Sequence, residues 1–573
     1  MSKKKIRSKE HIIVFASALF LALLFIGPML VKGKLVFGDD LTYQLSRIIE
    51  LTAWLKNGMQ DFPGISVESF YQIGYGVNIF YPWMTLLLFS SVGLFTENLV
   101  VSVYIGFYLY TFITLLISYY CMKQFSNSWL AAAAFSILYT FSIYRTIDAY
   151  TRFALAEFIA LTFIPLVLLG SYEVLFGKTR YWILVTIGFS LIVCTHVLSA
   201  FLICIYLVLF WGISLYFLEN RVKRSLVLLF SGLVSIFTSA VFLFGFIEEQ
   251  LFQTFLQPSP YQLEGNDTFQ LISKSISSDL LQSSMGGIYN VGFTCILLLF
   301  LGAFFFKKLE LKAKVIYILG IVTLFLTTDG FPWSILQNTP FSLIQFPFRL
   351  MIFPTLFFCI TGANLLQLFF EQYDVKRKSG ILVVTFLFSF LPWLLSVNSM
   401  LNTAFVLEMN ITDDYFGQSF NRYSLWIDQY TPEEGQHYID EIHKHIGYRD
   451  NEGFFMEPKS TNGALLFEIP IEKSESVVDL PVIKYKNTQA FVDGEVIPVT
   501  LSERGTMQLN LKKGINVIEI RYVSSIVVKI GIVVSFLSWV LVILYSVLVF
   551  HQKSPIKRDF LDIFNKVKKD DKN

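Results

Sequence analysis

Two adjacent carboxylates, Asp39 and Asp40, open the stretch GDDLTYQLSRIIELTAWLKNG at residues 38–58. A carboxylate so placed can act as general base on an acceptor hydroxyl, or orient it. The same pair also suits a plain structural role, with Asp39 as helix N-cap and Asp40 in the first turn. Asp40, Tyr43, Gln44 and Arg47 fall at i, i+3, i+4 and i+7 on one face, and Leu41, Leu45, Ile48, Thr52 and Leu55 form an apolar stripe on another. The spacing predicts an amphipathic helix lying on a membrane surface.

Three further groups carry charge at positions where charge is expensive. In YRTIDAYTRFALAE, Arg145, Asp148 and Arg152 share a face, and Glu157 follows at membrane depth. They are candidate ligands for a substrate or a lipid phosphate, although an Arg–Asp pair with snorkelling arginines would look the same. His196, in CTHVLSA, is either a hydrogen-bonded packing residue or a contact for a phosphate or hydroxyl. In QFPFRL, Arg349 opens a helix beside Gln345, and its fork of donors suits a phosphate as well as it suits an interfacial anchor. No P-loop, nucleophile elbow, HExxH or strand–helix GxGxxG is present. No metal site follows from the five cysteines, which lie in or at the ends of apolar runs without ligand spacing. A divalent metal is compatible with the residues but not required by them.

The elements that must hold these groups are membrane helices. The chain has 573 residues, 54% hydrophobic and 15% charged, with mean hydropathy +0.58. A soluble domain carries about 25% charged residues, so this composition excludes one, and it equally excludes a disordered chain or a disulfide scaffold. Nothing suggests nucleic acid. After an apolar run at 12–31, read as an uncleaved first span with a cytoplasmic N-terminus, further spans are expected at roughly 98–121, 128–144, 153–175, 181–197, 199–218, 225–246, 288–306, 314–328, 348–370, 380–397 and 524–550. Twelve spans place every Lys/Arg cluster at a helix end, together with both termini and the basic tail 551–573, on the cytoplasmic side. The stretch 79–95, with Tyr81, Pro82 and Trp83, is then an interfacial or re-entrant element.

Four sizeable segments face outward in this topology: 33–97, 145–152, 247–287 and 398–523, with a shorter one at 329–347. The 247–287 loop, with Glu248, Glu249, Pro258 and Pro260, is long enough to be a lid. Residues 398–523 hold 19 acidic and 11 basic residues and form an acidic outer insert. Its first part is mixed, with a helix near 433–446. Its second part alternates as β, with turns at Asp493-Gly494 and Lys513-Gly514, and predicts a small β-sandwich-like domain ahead of the last helix.

Taken in order, GDD, LSRI, GYG-x-x-x-FYPW (Gly74 to Trp83), YR-x-x-D-x-Y-x-R-x-A-x-x-E (Tyr144 to Glu157), HVLS (His196 to Ser199) and QFPFR (Gln345 to Arg349) resemble the bacterial 6-pyruvoyl-tetrahydropterin-synthase-related membrane proteins, a group close to the YfhO-type proteins. The ending FVDGEVIPV…LKKGINVIEIRY is also similar to the outer β-domain of YfhO-type proteins. The resemblance implies a GT-C fold: residues 1–397 as transmembrane domain, 398–523 as outer domain, and 524–550 as last span. It also implies a bacterial plasma-membrane glycosyltransferase that takes a sugar from a polyprenyl-phosphate carrier. The acceptor would be an extracellular glycopolymer or lipid-linked glycan, such as a teichoic acid or polysaccharide. The catalytic carboxylate of such enzymes lies in the first outer loop, which matches Asp39 and Asp40, with Asp40 preferred. Arg47, Arg145, Asp148, Arg152, Glu157, His196, Gln345 and Arg349 would bind substrate or lipid phosphate. Members of the group often have His where this chain has Asp39 and Gln44. The competing readings are a transporter or flippase of lipid-linked envelope precursors, for which paired broken helices in two related halves are expected, and a non-catalytic envelope scaffold.

Overall fold

A computed structural model describes residues 3–255, 262–281, 287–414 and 429–551. The chain is a bundle of apolar helices carrying a small sheet region near its C-terminus. Among the described residues, seven helices are long and apolar enough to cross a membrane: Lys9–Lys32, Leu99–Ser126, Leu155–Phe176, Val197–Ser214, Pro347–Phe370, Val375–Val406 and Ile526–Leu548. Two bent pairs, Trp129–Thr140 with Ile143–Tyr150 and Arg221–Thr238 with Ala240–Gln250, raise the number to nine if each pair is one span. The segments expected at 181–197 and 288–306 form shorter apolar helices, Thr179–Val193 and Gly292–Phe304. The 79–95 stretch is broken into short turns, the longest apolar piece being Met84–Leu94. Leu155–Phe176 is the central helix, with 83% of its apolar window buried, against 17% for Val375–Val406.

The sharper bend, 75° at Ser239, is supported by the last helix. A kink frees backbone carbonyls, and polar side chains must then satisfy them. Thr238 O accepts from Ser535 Oγ and, at 3.0 Å, from Trp539 Nε1 of the last helix. Gly531 lets that helix approach, since a Cβ there would lie 2.7 Å from Ala240 O.

Helix α1 (Lys3–Lys32) leads through β1 (Leu35–Val36) into α2 (Leu41–Lys56). β1 pairs with β2 (Asn410–Ile411), which pins the first loop to the far end of Val375–Val406. That helix runs nine residues past the expected boundary at 397. α2 is not a helix with one open face. Leu41, Leu45 and Ile48 are fully buried as the stripe predicts, but Gln44 and Arg47 on the opposite face are buried too. The chain between residues 60 and 95 folds over that second face. Glu50, 6% exposed, anchors it by accepting the amides of Val67 at 3.1 Å, Glu68 at 2.8 Å, and Ser69.

The C-terminal strands are β3 (Ile446–Arg449), β4 (Glu452–Phe455), β5 (Lys459–Thr461), β6 (Ala464–Ile483), β7 (Thr488–Val492), β8 (Glu495–Ile497), β9 (Thr500–Leu501) and β10 (Thr506–Tyr522). All eight join one antiparallel hydrogen-bonded sheet, in the order β4-β3-β6-β10-β7-β8 with β5 on β6 and β9 on β10, where the alternation had suggested a sandwich-like pair of sheets. The reason is the length of β6 and β10. Their pairing passes its exposed middle through a register shift at Lys512/Gly514 instead of breaking there. The expected helix near 433–446 is a 3₁₀ turn, Glu433–Tyr438, continued by a short helix, Ile439–His443.

The sheet sits on the helical body. Glu248 binds Lys486 Nζ at 3.1 Å, Asn487 Nδ2 at 3.1 Å and Ser525 Oγ at 2.6 Å, and Glu249 accepts the Lys486 amide at 2.8 Å. These two carboxylates therefore clasp the sheet. Pro258 and Pro260 of the expected lid, residues 415–428 of the insert and 552–573 of the basic tail lie outside the described residues.

Candidate functional site

The site starts from a close approach. Gly38 packs on the turn at Thr151–Phe153, and a Cβ on Gly38 would lie 2.6 Å from Thr151 O. No side chain fits there, so the first loop can bring its carboxylates against Arg152. The turn itself is strained, with Phe153 at φ 59. The Asp40 amide donates to Arg152 O at 2.9 Å, which fixes the start of α2 on that turn.

Asp40, and not Asp39 as expected, stands at the N-cap of α2, and its side chain makes no capping hydrogen bond. The residue that the capping role would have absorbed is thus left for other work. The shift by one residue follows from the Asp40–Arg152 backbone bond, which holds Asp39 outside the helix. Asp39 instead accepts the hydroxyl of Tyr289.

Asp40 is half-buried, and its electrostatic neighbours are Arg152, Arg349 and Glu157. Burial raises its carboxyl above the ordinary aspartate value, against the pull of the two cations and with the Glu157 charge adding to the rise. The His196 ring lies in the field of Glu157, Arg349, Arg152 and Arg47. It bonds Ser199 Oγ through Nδ1 at 2.8 Å and stacks on Tyr81, with centroids 6.0 Å apart. Asp40, Arg152, Glu157, His196 and Arg349 therefore converge, from four separate stretches of chain.

The two site arginines differ. Arg152 Nη1 is held by Asp148 at 3.1 Å and by Glu157 at 2.7 Å, with the Asp148 and Glu157 side chains at 0% and 1% exposure. Glu157 also accepts the Tyr144 hydroxyl. The charge of Arg152 is compensated twice, and its plane lies over Phe348 at 5.0 Å and Tyr289 at 5.7 Å. Among the described residues, Arg349 binds only neutral oxygens, Gln345 Oε1 at 2.6 Å and Ile344 O at 3.3 Å, and its buried Nε has no partner. Gln345 holds this orientation from a backbone at φ 61, an unusual conformation for a residue with a side chain.

Two expected ligands turn away. Arg47 is fully buried; it donates to Pro82 O at 2.6 Å, Tyr81 O at 3.2 Å and Gln44 Oε1 at 3.3 Å, and stacks on Tyr81 at 4.1 Å. It clamps α2 to the FYPW segment, since carbonyls freed by the break at Pro82 need a donor. Arg145 is also fully buried, with Nη1 on Phe158 O at 3.0 Å and its plane 3.9 Å from the Phe158 ring. Asp148 reaches the site through its ion pair with Arg152, whereas Glu157 also acts on Asp40 and His196.

Tyr144, Tyr289, Phe348 and Gly38 join the site without being evident as site residues from their type and spacing. Gly38, Tyr144 and Phe348 lie within the sequence motifs, whereas Tyr289 carries no local signal. Among the described residues, no group of three His, Cys, Asp or Glu side chains could hold a metal ion. No family model matches the chain, and no curated protein matches it.

Proposed function

We propose that the chain is a GT-C-like membrane glycosyltransferase using a polyprenyl-phosphate sugar, in line with the resemblance of its motifs. The observation that carries the reading is Asp40: a carboxylate at a helix start that caps nothing, beside an arginine with no ion pair among the described residues. This arrangement suits a hydroxyl nucleophile next to a phosphate leaving group. Counting the helices Thr179–Val193, Gly292–Phe304 and Leu311–Phe325 as spans beside the nine, and Met84–Leu94 as interfacial, gives a twelve-helix topology with the first loop, the site and the sheet domain on the outer face of the plasma membrane.

In the proposed reaction, Asp40 takes the proton of an acceptor hydroxyl as its oxygen bonds the anomeric carbon of the donor sugar. The bond from that carbon to the phosphate oxygen breaks, and its electron pair leaves with the polyprenyl phosphate. Arg349 binds the phosphate and stabilises the charge that grows on it. Gln345 aims Arg349. Arg152, held by Asp148 and Glu157, positions Asp40 through its backbone carbonyl and faces it with a compensated charge. His196 is placed to contact a hydroxyl or phosphate oxygen. The acceptor would be an extracellular glycopolymer or a lipid-linked glycan.

The test uses membranes containing the full chain, supplied with labelled polyprenyl-phosphate sugars and cell-envelope polymer. Sugar should appear on the polymer with wild type and not with Asp40→Asn at equal expression. Donor lipid that crosses proteoliposomes unchanged, with no transfer, would support the transporter reading instead.

A further inference from the structure

A second cavity lies at the other end of α2. It has a volume of about 470 Å³ and opens between the end of α2, the chain at 60–67 and the C-terminal sheet. That volume falls within the roughly 300–1,000 Å³ of small-ligand pockets. Trp54 is roughly 20 Å from Asp40 along the helix at about 1.5 Å per residue, so this cleft is separate from the carboxylate site.

Its lining mixes flat apolar rings with uncharged amides. Trp54 and Tyr522 supply rings, and Asn57, Gln60, Asn78 and Gln489 supply amides. Asn78 is the informative one. It is 1% exposed, and its Oδ1 has no hydrogen-bond partner among the described residues. A buried acceptor without a partner is costly, and a ligand hydroxyl would satisfy it.

The charges of the cleft are already in use. Glu50 accepts three backbone amides. Asp61 binds the amide and hydroxyl of Ser524, the former at 3.0 Å. Arg521 pairs with Glu519 at 3.5 Å and lies over Phe491 at 4.1 Å. A polar, uncharged ligand suits these residues best.

We propose that this cleft binds a neutral saccharide chain. The C–H faces of sugar rings pack on aromatic side chains, and side-chain amides offer a donor and an acceptor to neighbouring hydroxyls. The inference does not rest on sugar transfer at Asp40. A protein that only held a glycan here would show the same cleft.

The test uses the full chain in nanodiscs without lipid-linked donor, applied to an array of neutral and anionic glycans. Neutral glycans that are retained are then titrated against wild type, Asn78→Ala and Gln489→Ala, with thermal unfolding measured in parallel. Gln489 is a half-buried side chain on an ordered strand, so its variant remains informative if Asn78→Ala fails to fold. The expected result is retention of neutral glycans and at least tenfold weaker binding in each folded variant. Retention of anionic glycans only, no retention, or unchanged affinity in the folded variants would overturn the proposal.

Discussion

The backbone carbonyl of Arg152 accepts the amide of Asp40 at 2.9 Å, so the residue that positions the carboxylate is also the cation that faces it. This single contact ties the first loop to the turn before Leu155–Phe176, the most buried of the seven long apolar helices. It also explains why Asp40 occupies the N-cap without capping.

Gly38 makes that contact sterically feasible. Gly38→Ala places a methyl group 2.6 Å from Thr151 O, against backbone that cannot swing away. The loop must move, and a displacement of about 1 Å at a reacting group can cost about 100-fold in rate. Transfer should fall at least about tenfold, while donor binding, which depends on Arg349, changes less. Equal transfer rates in the variant and wild type would remove Gly38 from this role.

Arg349 should govern donor binding. A hydrogen bond to a charged group is worth about 1.5–3 kcal/mol, so Arg349→Ala should raise the donor Kd at least about tenfold. Gln345→Ala, which loses only the partner at 2.6 Å, should lie between wild type and Arg349→Ala. Binding of a polyprenyl phosphate, measured without acceptor, checks both. A Kd unaltered in Arg349→Ala would assign the phosphate elsewhere.

Glu157 is a structural counter-ion, in contact with Arg152 at 2.7 Å and with its side chain 1% exposed. Removing one member of a buried ion pair leaves the other uncompensated, at a cost of about 3–5 kcal/mol. Glu157→Ala should therefore lower thermal stability strongly in detergent. Asp148 remains on Arg152, which sets the lower end of that range as the better expectation. A melting temperature equal to wild type would mean that the pair contributes nothing to folding.

Much of this site was legible in residue types. Scarce charge in an apolar chain is expensive to keep, and Asp40, Arg152, His196 and Arg349 do meet. What helical spacing could not show is which groups neutralise one another. Arg145 was grouped with Arg152 by spacing, yet its guanidinium goes to Phe158, while Arg152 takes both Asp148 and Glu157. Arg47 read as a surface ligand because the chain that covers it lies 34 residues away, at Tyr81 and Pro82. The sheet was legible as alternation along β6 and β10, but the number of sheets was not, since alternation says which face is inside and nothing about whether a long strand breaks. The clasp of Glu248 and Glu249 on Lys486 and Asn487 joins positions more than 200 residues apart, which no local pattern encodes.

Glu50 gives a pH dependence for the folded loop. Burial lifts its carboxyl from 4.5 to about 8, although three backbone amides pull the other way. Between those two values the folded state binds more protons than the unfolded state, so stability falls as pH rises. The melting temperature should decline between about pH 5 and pH 8 more steeply in wild type than in Glu50→Gln. Parallel curves for the two proteins would show that Glu50 does not titrate with folding.

The most direct test of the central claim is single-turnover release of polyprenyl phosphate from a labelled sugar donor in the presence of acceptor, for wild type and Asp40→Asn. The substitution keeps size and shape and removes the base. General-base catalysis contributes about 100- to 10,000-fold, so release should slow by that amount while donor Kd stays within about twofold. Release by Asp40→Asn at the wild-type rate would contradict the assignment of Asp40 as the group that activates the acceptor.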